Sequence, residues 1–441
     1  MAARQPHRGA RCALFIGITL GTASAMAGYD VYSKGDTKLT FNFDAAAAAF
    51  ENKDSWFGES NSFLGNTTDN WSEYGVEPRL SLQVPVAGGT VYGQLSGVYT
   101  ATDSDDASGL TIDSDADDFN TEQGHLGWKT DNVFDGLEND SFSISGGRQD
   151  YKIGTGMLIA DGGSDGGHYG GWYLGMRKAF KGTVIASLKS DEMLLEGFRL
   201  ENRPRRGGTE GEAYGANGEY TFFGTTKMGA SYIVVDADLQ GYDDLDVYDG
   251  RLDWTPGGAL EGLSLSGEFA HEESDQIDAD GWFAQIGYQT RELCWTPTFS
   301  YRYAHFDGDD PDTAEEEQFR EIAYGYSDYG SWYQGEITGN YPLANGNLNS
   351  HQIRVKAQPN ESVTLNAIYY DFTLDQENVF GDPVTNDDWG QEIDFTVDWQ
   401  ATEQIYVIGV LGALMPGDAA KEWTGGDDDW LYSMLYVSYA Y

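Results

Sequence analysis

The last eleven residues of the chain, Leu431 to Tyr441, read LYSMLYVSYAY. Counted back by twos from Tyr441, every second side chain as far as Leu435 is apolar or aromatic. The positions between them, Ala440 back to Tyr436, are smaller or carry a hydroxyl group. A period of two is the pattern of a β-strand with two different faces. The stretch therefore predicts a terminal strand, either in a soluble β-protein or in a barrel that closes on its last strand.

The same alternation recurs along the chain. Segments with apolar residues or glycine on one face and mostly polar side chains on the other lie at 38–45, 76–84, 91–99, 248–254, 295–303 and 392–399. The first of them continues to about ten residues, the length that a tilted barrel strand needs to cross the hydrocarbon of a bilayer. A final strand with an aromatic last residue resembles the assembly signal of bacterial outer-membrane barrels. A soluble β-sandwich also alternates, so alternation alone leaves both folds open.

The lengths of the connectors favour the barrel, because outer-membrane barrels have short periplasmic turns and long outer loops. Short connectors are predicted at 87–89, 179–182, 223–226, 255–260, 290–293, 359–362 and 400–404. The connectors between them are long and acidic, as in 102–118, 305–321 and 374–388. We therefore predict an all-β fold, a transmembrane antiparallel β-barrel of about 18 strands with short periplasmic turns and long acidic extracellular loops.

Segment 331–341 is one further strand candidate, which would make nineteen. An odd number would put the tight turn 359–362 outside and the long connector 374–388 inside. We therefore assign 305–347 to one long outer excursion, which could fold partly into the mouth or lumen of the barrel.

The first 27 residues have the three zones of a secretory signal peptide. Arg4, Arg8 and Arg11 precede an apolar run that is too short to span a membrane, and a small-residue site ends at Ala27. The predicted organisation is a signal peptide at 1–27 and an outer-membrane barrel at 28–441. Removal of the signal would leave Cys294 as the single cysteine, so a disulfide framework is not expected.

The net charge is −46, from 72 acidic and 26 basic side chains. Such acidity argues against nucleic acid and anionic lipid headgroups as partners. An aromatic content of 14% argues against a disordered acidic chain. No apolar run of eighteen or more residues follows the signal, which excludes a helical membrane protein.

Strand register places charges of both signs on the polar, inward face. A barrel of this width leaves room for an aqueous channel, and such charges would select small polar solutes. The alternative is that they pair with one another inside a plugged wall. The predicted inward bases are Lys38, Arg79, Lys129, Arg177, Lys189, Lys227, Arg251, Arg302, Arg354 and Lys356. The predicted inward acids are Asp44, Glu77, Glu219, Asp249, Asp253, Glu268, Glu392, Asp394 and Asp398.

A basic cluster of Arg199, Arg203, Arg205 and Arg206 falls in a predicted outer loop, 190–212. It could attract anions or lipopolysaccharide phosphate, but a salt bridge to a neighbouring acidic loop is the simpler role. Outer-membrane lipid, lipopolysaccharide and a hydrophilic solute or saccharide are the expected partners.

Two stretches resemble the alginate export family of outer-membrane barrels. The first runs from Gly147 to Gly156 and reads GRQDYKIGTG; the second runs from Trp332 to Asn349 and is followed by 353–372. The resemblance implies an eighteen-stranded channel with an arginine-rich lumen that conducts a polyuronate. It implies Arg148 as a lumenal residue, with Lys152 in the same motif and Arg354 and Lys356 just beyond the second. This chain departs from that pattern because its predicted lumen balances bases with acids.

Motifs for other chemistry are weak. The chain after residue 27 has five histidines, with no HExxH pair and no Gly-x-Ser-x-Gly elbow, so we expect no enzyme and no catalytic residues. Asp113, Asp115 and Asp117 open like a calcium loop, but Asp118 replaces the required glycine. We expect no cofactor and no dedicated metal site, with Ca²⁺ at most loosely bound to the outer loops. The sequence thus predicts a porin-like channel, with an outer-membrane enzyme or a surface adhesin as the alternatives.

Overall fold

The computed structural model describes residues 28–58, 70–104, 116–131, 140–162, 169–202, 211–237, 242, 244–311, 313, 316–320, 322–325 and 334–441. The predicted signal peptide, Asp113, Asp115 and the arginines at 203, 205 and 206 lie outside these residues. Among the described residues, no helix has the length and apolar character needed to cross a membrane.

Eighteen antiparallel strands close into a single barrel, as predicted from the sequence. They are β2 Thr37–Lys53, β3 Asn70–Val86, β4 Gly89–Asp103, β5 Asp117–Thr130, β6 Phe142–Gln149, β7 Phe180–Lys189, β8 Met193–Glu201, β9 Gly211–Phe222, β10 Thr226–Ala237, β11 Leu245–Trp254, β12 Leu263–Glu273, β13 Asp278–Gln289, β14 Thr298–Phe306, β15 Leu348–Asn360, β16 Val363–Thr373, β19 Asp388–Gln400, β20 Ile405–Pro416 and β21 Trp430–Ala440. Strand β1, Tyr29–Lys34, forms a hairpin with β2, and the short pair β17 Asn378–Val379 and β18 Asp382–Pro383 lies in a connector. One short helix, α1 Asp418–Thr424, precedes β21.

The terminal strand closes the barrel. β21 pairs with β2 from Asp44 opposite Ala440 to Lys53 opposite Leu431, and with β20 on its other side. Two further backbone hydrogen bonds, both of 2.9 Å, join Phe43 and Tyr441. Closure gives each of the eighteen barrel strands a neighbour on both sides, which a strand in hydrocarbon requires because lipid offers its backbone no hydrogen bond.

The outer face of the barrel is apolar at mid-height. Exposed side chains there include Leu95, Leu126, Leu195, Met228, Ile286, Ile353, Phe395, Leu411 and Leu435. Their neighbours on the same strands point inward. Most of these inward side chains are polar, but near the end where the long connectors lie many are apolar and buried. A continuous band of exposed leucine, isoleucine and phenylalanine is unfavourable in water and favourable in a bilayer.

The two ends of the barrel differ, although less strictly than the sequence suggested. Most connectors at the end we call the turn end are short, but residues 131–141 make an eleven-residue connection there. At the opposite end, the loop end, β12 and β13 are joined by only four residues, 274–277. The lengths therefore alternate in general, as they do in outer-membrane barrels.

The predicted turn at 179–182 is wrong. Phe180 begins β7, and Gly182 pairs with Glu201 within the ladder, so the Lys-Gly pair there is not a turn. The real turn is 190–192, where Ser190 N donates to Met193 O at 2.8 Å. As a consequence, Arg199 lies on β8 rather than in an outer loop, and its guanidinium pairs with Glu212 on the outer face.

The long connector 307–347 contains no barrel strand among its described residues, so leaving 331–341 out of the strand count was correct. Residues 334–339 form tight turns and are buried. Their neighbours are inward-facing residues of β19, which places this part of the connector inside the barrel.

The outer face gives a direct test of membrane insertion. Leu411, mid-way along β20 and 62% exposed, should tolerate arginine poorly because a charge at mid-bilayer costs about 2–4 kcal/mol. The control is Leu431→Arg at the loop end of β21, where the cost should fall to about 0–1 kcal/mol. The free energy of unfolding in lipid vesicles measures both. Equal losses at the two positions would show that mid-barrel Leu411 does not face hydrocarbon.

Candidate channel lumen and its constriction

Two connectors from the loop end fold into the barrel and meet there. The first inner segment comprises residues 150–162 and 169–179, between β6 and β7. The second comprises residues 316–320, 322–325 and 334–347, between β14 and β15. Ala323 joins them through three backbone hydrogen bonds: its carbonyl accepts from the N–H groups of Ala160 at 2.7 Å and Asp161 at 3.0 Å, and its N–H donates to Leu158 O at 2.9 Å. The rings of Tyr173 and Tyr341 add a contact at 5.7 Å between centroids. The two segments therefore form one crosspiece through the lumen.

Apolar packing holds the crosspiece against the wall. Near the loop end, the inward side chains of β8 to β14 are apolar and fully covered, including Ile233, Val247 and Phe306. From the first inner segment, Tyr151, Ile153, Met157, Leu158 and Ile159 pack into the same cluster. A second cluster surrounds Ile337 of the second inner segment. The inner face is thus apolar at these two clusters, where the segments pack against it.

Buried carboxylates on the inner wall hold the backbone of both segments. Glu73 on β3 accepts the backbone N–H groups of Tyr173 and Leu174, at 2.9 and 3.1 Å. Glu122 on β5 accepts the N–H of Ala179 at 2.7 Å. Both carboxylates are 1% exposed. Irregular backbone inside a barrel has no strand partner, so a carboxyl side chain supplies the acceptor that each buried N–H needs.

The second inner segment is held in the same way. Glu272 on β12 accepts the N–H of Arg320 at 2.7 Å. On β19, Glu392 accepts the N–H groups of Ile337 and Thr338, at 2.7 and 2.9 Å. Asp394, also on β19, accepts the N–H of Glu336 at 3.1 Å. We call these wall residues the carboxylate anchors; they are Glu73, Glu122, Glu272, Glu392 and Asp394.

The predicted lumenal residue Arg251 is covered by the first inner segment. Its guanidinium contacts Asp249 and donates to Ser231 Oγ at 2.9 Å and to Asn217 Oδ1 at 2.5 Å. A Cβ atom on Gly154 would lie 2.3 Å from Arg251 Cδ, so the segment passes directly over the arginine. Beside it, Thr155 donates to Glu268 at 2.6 Å. The glycine-rich motif is therefore a close contact between loop and wall, and Arg251 and Asp249 do not line open water.

Several other predicted lumenal charges are paired within the wall or a loop. Arg79 lies 2.5 Å from Asp44 and 3.4 Å from Glu77. Asp398 accepts the hydroxyl of Tyr406 at 2.9 Å, and Asp253 lies opposite Lys227 in the β10–β11 ladder. These charges are inside the barrel, as predicted, but mostly as members of opposite-charge groups.

Arg177 was assigned to a strand, and this is wrong. It belongs to the first inner segment, is 1% exposed, and donates to Thr100 on β4 and Asn120 on β5, both at 2.7 Å. Arg148 is on β6 beside Gly147, whose φ of 123° interrupts the strand alternation, and its Nε donates to Glu122 O at 3.4 Å. Arg148 is therefore fixed against the wall.

Three predicted bases reach the polar part of the interior. Arg302 stacks on the Phe283 ring at 4.3 Å and donates to Gln285 at 3.2 Å. Arg354 donates to Asn366 at 2.8 and 3.0 Å, and Lys356 follows it on the same face of β15. Lys152 of the first inner segment is exposed, between the wall-packed Tyr151 and Ile153.

A polar recess of about 440 Å³ lies at the turn end between β12 and β15. Its walls carry three bases, Arg291, Arg354 and Lys356, and one acid, Glu261. The remaining lining is mostly amide and hydroxyl groups, from Thr255, Ser264, Gln285, Gln289, Thr296, Thr298, Ser300 and Gln358. In a chain of net charge −46, this is a local excess of positive charge beside groups that hydrogen-bond polar solutes.

The described residues contain no group of three or more His, Cys, Asp or Glu side chains placed to hold a metal ion. Of the weak calcium-loop pattern, only Asp117 is among them, at the start of β5.

Residues 214–429 match the model of the alginate export family. The resemblance to that family is confirmed. Because the outer face is apolar, the sheet is closed and the interior is polar, the chain is a porin-like β-barrel channel of the bacterial outer membrane. The matched family is one of outer-membrane channels, not of enzymes.

Solved structures share the fold of this porin-like barrel at low identity. OpdL of Pseudomonas aeruginosa is 12% identical with a TM-score of 0.59, over 91% of this chain and 98% of that one. The outer membrane protein opdK of the same organism gives 12% and 0.57, over 91% and 98%. OccAB4 of Acinetobacter baumannii gives 10% and 0.57, over 96% and 100%. Curated proteins give no match to the chain.

Sequence reasoning missed the carboxylate anchors as a group. It placed Glu392 and Asp394 on the inward face but gave them no role in holding a loop, and it did not single out Glu73, Glu122 or Glu272. One signal was present: these acids share a strand face with apolar residues, as Glu272 does with Ala270 and Glu73 with Trp71. An acid on an otherwise apolar inner face indicates a buried partner rather than water.

The contact between Gly154 and Arg251 can be tested by one methyl group. In Gly154→Ala, the Cβ atom would overlap the arginine, and the φ of 52° adds strain of about 1–3 kcal/mol. We expect the first inner segment to loosen and the single-channel conductance to rise. Gly250→Ala, next to Arg251 with open space around the added atom, is the control and should leave conductance unchanged. Equal conductance in both variants would contradict a constricting role for this segment.

Proposed function

We propose that the protein passes small hydrophilic solutes across the outer membrane by diffusion, around the crosspiece and through the recess at the turn end. The observation that carries this proposal is the recess itself. It has a volume of about 440 Å³ and a mostly polar lining. Its volume is within the range of about 300–1,000 Å³ that is usual for small-ligand sites. The loops at the opposite end would face the exterior, and residues 1–27 would direct export of the chain.

The chemistry of the recess favours solutes that carry a carboxylate and hydroxyl groups. Arg354 has its Nε and Nη2 directed to Asn366, which holds the guanidinium plane against the wall. Lys356 adds positive charge, Arg291 is paired with Glu261 at 2.6 Å, and glutamine, serine and threonine supply donors and acceptors. Charged groups of one sign in a narrow polar passage favour permeant ions of the other sign. Arg302, Lys152, Asp253 and Asp398 would shape the field around this passage.

Export of a polysaccharide such as alginate is the second candidate, and the match to the alginate export family favours it. The crosspiece argues against it. Hydrogen bonds of 2.7 and 2.9 Å at Ala323 join the two inner segments, and a polymer would have to pass beside them. A small solute needs a narrower path than a hydrated polymer chain does.

Block of a planar-bilayer current separates the two candidates. If small solutes are the cargo, monomeric sugar acids should reduce the current briefly and reversibly, while a uronate oligomer should act from one side without translocating. Passage of the oligomer into vesicles would favour the polymer. Absence of any current would favour an enzyme or an adhesin instead.

The matched family and the similar solved structures are outer-membrane channels, so we propose that this protein has no enzymatic activity. Lipopolysaccharide is a proposed neighbour of the outer face near the loop end. Arg199 is 51% exposed there and is paired with Glu212. Because the pair carries no net charge, its contact with lipopolysaccharide would rest on hydrogen bonds.

The recess predicts a specific change in ion selectivity. Arg354→Gln combined with Lys356→Gln removes two positive charges from the passage, so the reversal potential in a salt gradient should shift toward cations. The matched control is Arg199→Gln, which removes a positive charge from the outer face and should leave the reversal potential unchanged.

Arg251→Gln provides a second comparison. Because the first inner segment covers Arg251, loss of the Arg251 guanidinium should reduce stability more than it changes ion selectivity.

For the Arg354/Lys356 double variant, an unchanged reversal potential would exclude the recess from the conducting path.

A further inference from the structure

At one place the second inner segment is held by two carboxyl groups of the wall, and a third carboxyl group belongs to the segment itself. Glu336 of the segment meets Glu392 and Asp394 of β19, and the three side chains are between 0% and 2% exposed. Glu336 N donates to Asp394 at 3.1 Å, and the next two residues, Ile337 and Thr338, donate to Glu392. Elsewhere each anchor acts alone. Glu73 binds the backbone of residues 173 and 174, and Glu122 binds that of residue 179.

The arrangement favours at least one proton. Glu392 and Asp394 are two residues apart on β19, so both carboxyl groups lie on the inner face of the strand, where they accept the N–H groups of residues 336–338. Glu336 Oε1 and Asp394 Oδ1 are buried and have no hydrogen-bond partner. Three negative charges in contact, shielded from water, repel one another far more strongly than they would at the surface.

The groups around this cluster do not compensate its charge. Tyr370 on β16 and Tyr432 on β21 face it from the wall, and Tyr341 faces it from the second inner segment. The charges that act on Glu336 are those of Glu392 and Asp398, both negative. Tyrosines donate hydrogen bonds but remain neutral in the ordinary pH range, so protonation is the means of reducing the repulsion.

We infer that Glu336, Glu392 and Asp394 form a proton-dependent latch, which positions the second inner segment in the lumen and releases it when the cluster loses its proton. The effect on conductance rests on the proposed channel function; the latch itself does not. Glu392 and Asp394 act as positioning residues, since they contact the segment and not the solute.

The direction of the pH effect follows from Glu336. Burial, followed by the charges of Glu392 and Asp398, raises the pKa of Glu336 well above its usual range. A group with a raised pKa in the folded state adds stability that is complete below its unfolded pKa and is lost as the pH rises through its folded pKa. The latch should therefore hold in acid and weaken toward alkaline pH.

Hydrogen exchange measures the latch without reference to transport. In the full barrel in detergent or lipid, the protection of peptides covering residues 334–345, relative to the same unfolded peptides, should fall between about pH 6 and about pH 10. Glu336→Gln keeps a neutral side chain at every pH, so its protection should not fall. Asp394→Asn should behave in the same way and serves if the first variant does not fold. Glu273→Gln, an exposed acid on β12, is the control and should keep the wild-type response.

Conductance is the second readout. The wild-type current should rise over the same pH interval, and the rise should be lost in Glu336→Gln. Constant protection of 334–345 in the wild type, or an equal loss in Glu336→Gln, would overturn the latch. A loss of protection in a protein that never conducts would support the latch and contradict the proposed channel function.

Discussion

The structure depends on one constraint, that every backbone N–H and C=O at membrane depth must have a partner within the protein. Closure of β21 on β2 meets this constraint for the sheet, down to the paired backbone bonds of Phe43 and Tyr441. Once the sheet is closed, the outer side chains can all be apolar, and the inner ones are free to take other roles. Strand length follows from the thickness of the hydrocarbon that each tilted strand has to cross.

The inner segments face the same constraint in another form. They are irregular and buried, so their N–H groups cannot use a ladder, and the wall supplies Glu73, Glu122, Glu272, Glu392 and Asp394 instead. A buried N–H group left without a partner would cost about 1–3 kcal/mol. Part of the acidity of the chain is therefore structural and internal. The large negative charge is not a property of the outer loops alone.

This arrangement also limits what the interior can do in transport. Arg79 and Arg251 are engaged by acids, and Arg177 is enclosed by polar groups of the wall, which leaves a smaller set of charges near water. The basic recess at the turn end differs from the acidic anchors near the loop end. The proposed selectivity site and the proposed latch therefore lie in different parts of the barrel, and separate variants can alter each of them.

Local sequence was sufficient to predict the wall of the barrel but not its contents. The period of two determines which side chains share a face, and the aromatic end at Tyr441 together with the connector lengths determined the closed sheet of eighteen strands. The error at 179–182 arose because Lys181 and Gly182 have the composition of a turn, while their strand pairing depends on Glu201, which is not adjacent in sequence. Whether an inward side chain meets water or a loop depends on contacts such as Ala160 with Ala323, which are far apart along the chain. The period of two in the sequence determines which side chains point into the barrel. Only the folded connectors determine which of those side chains are covered and which meet water.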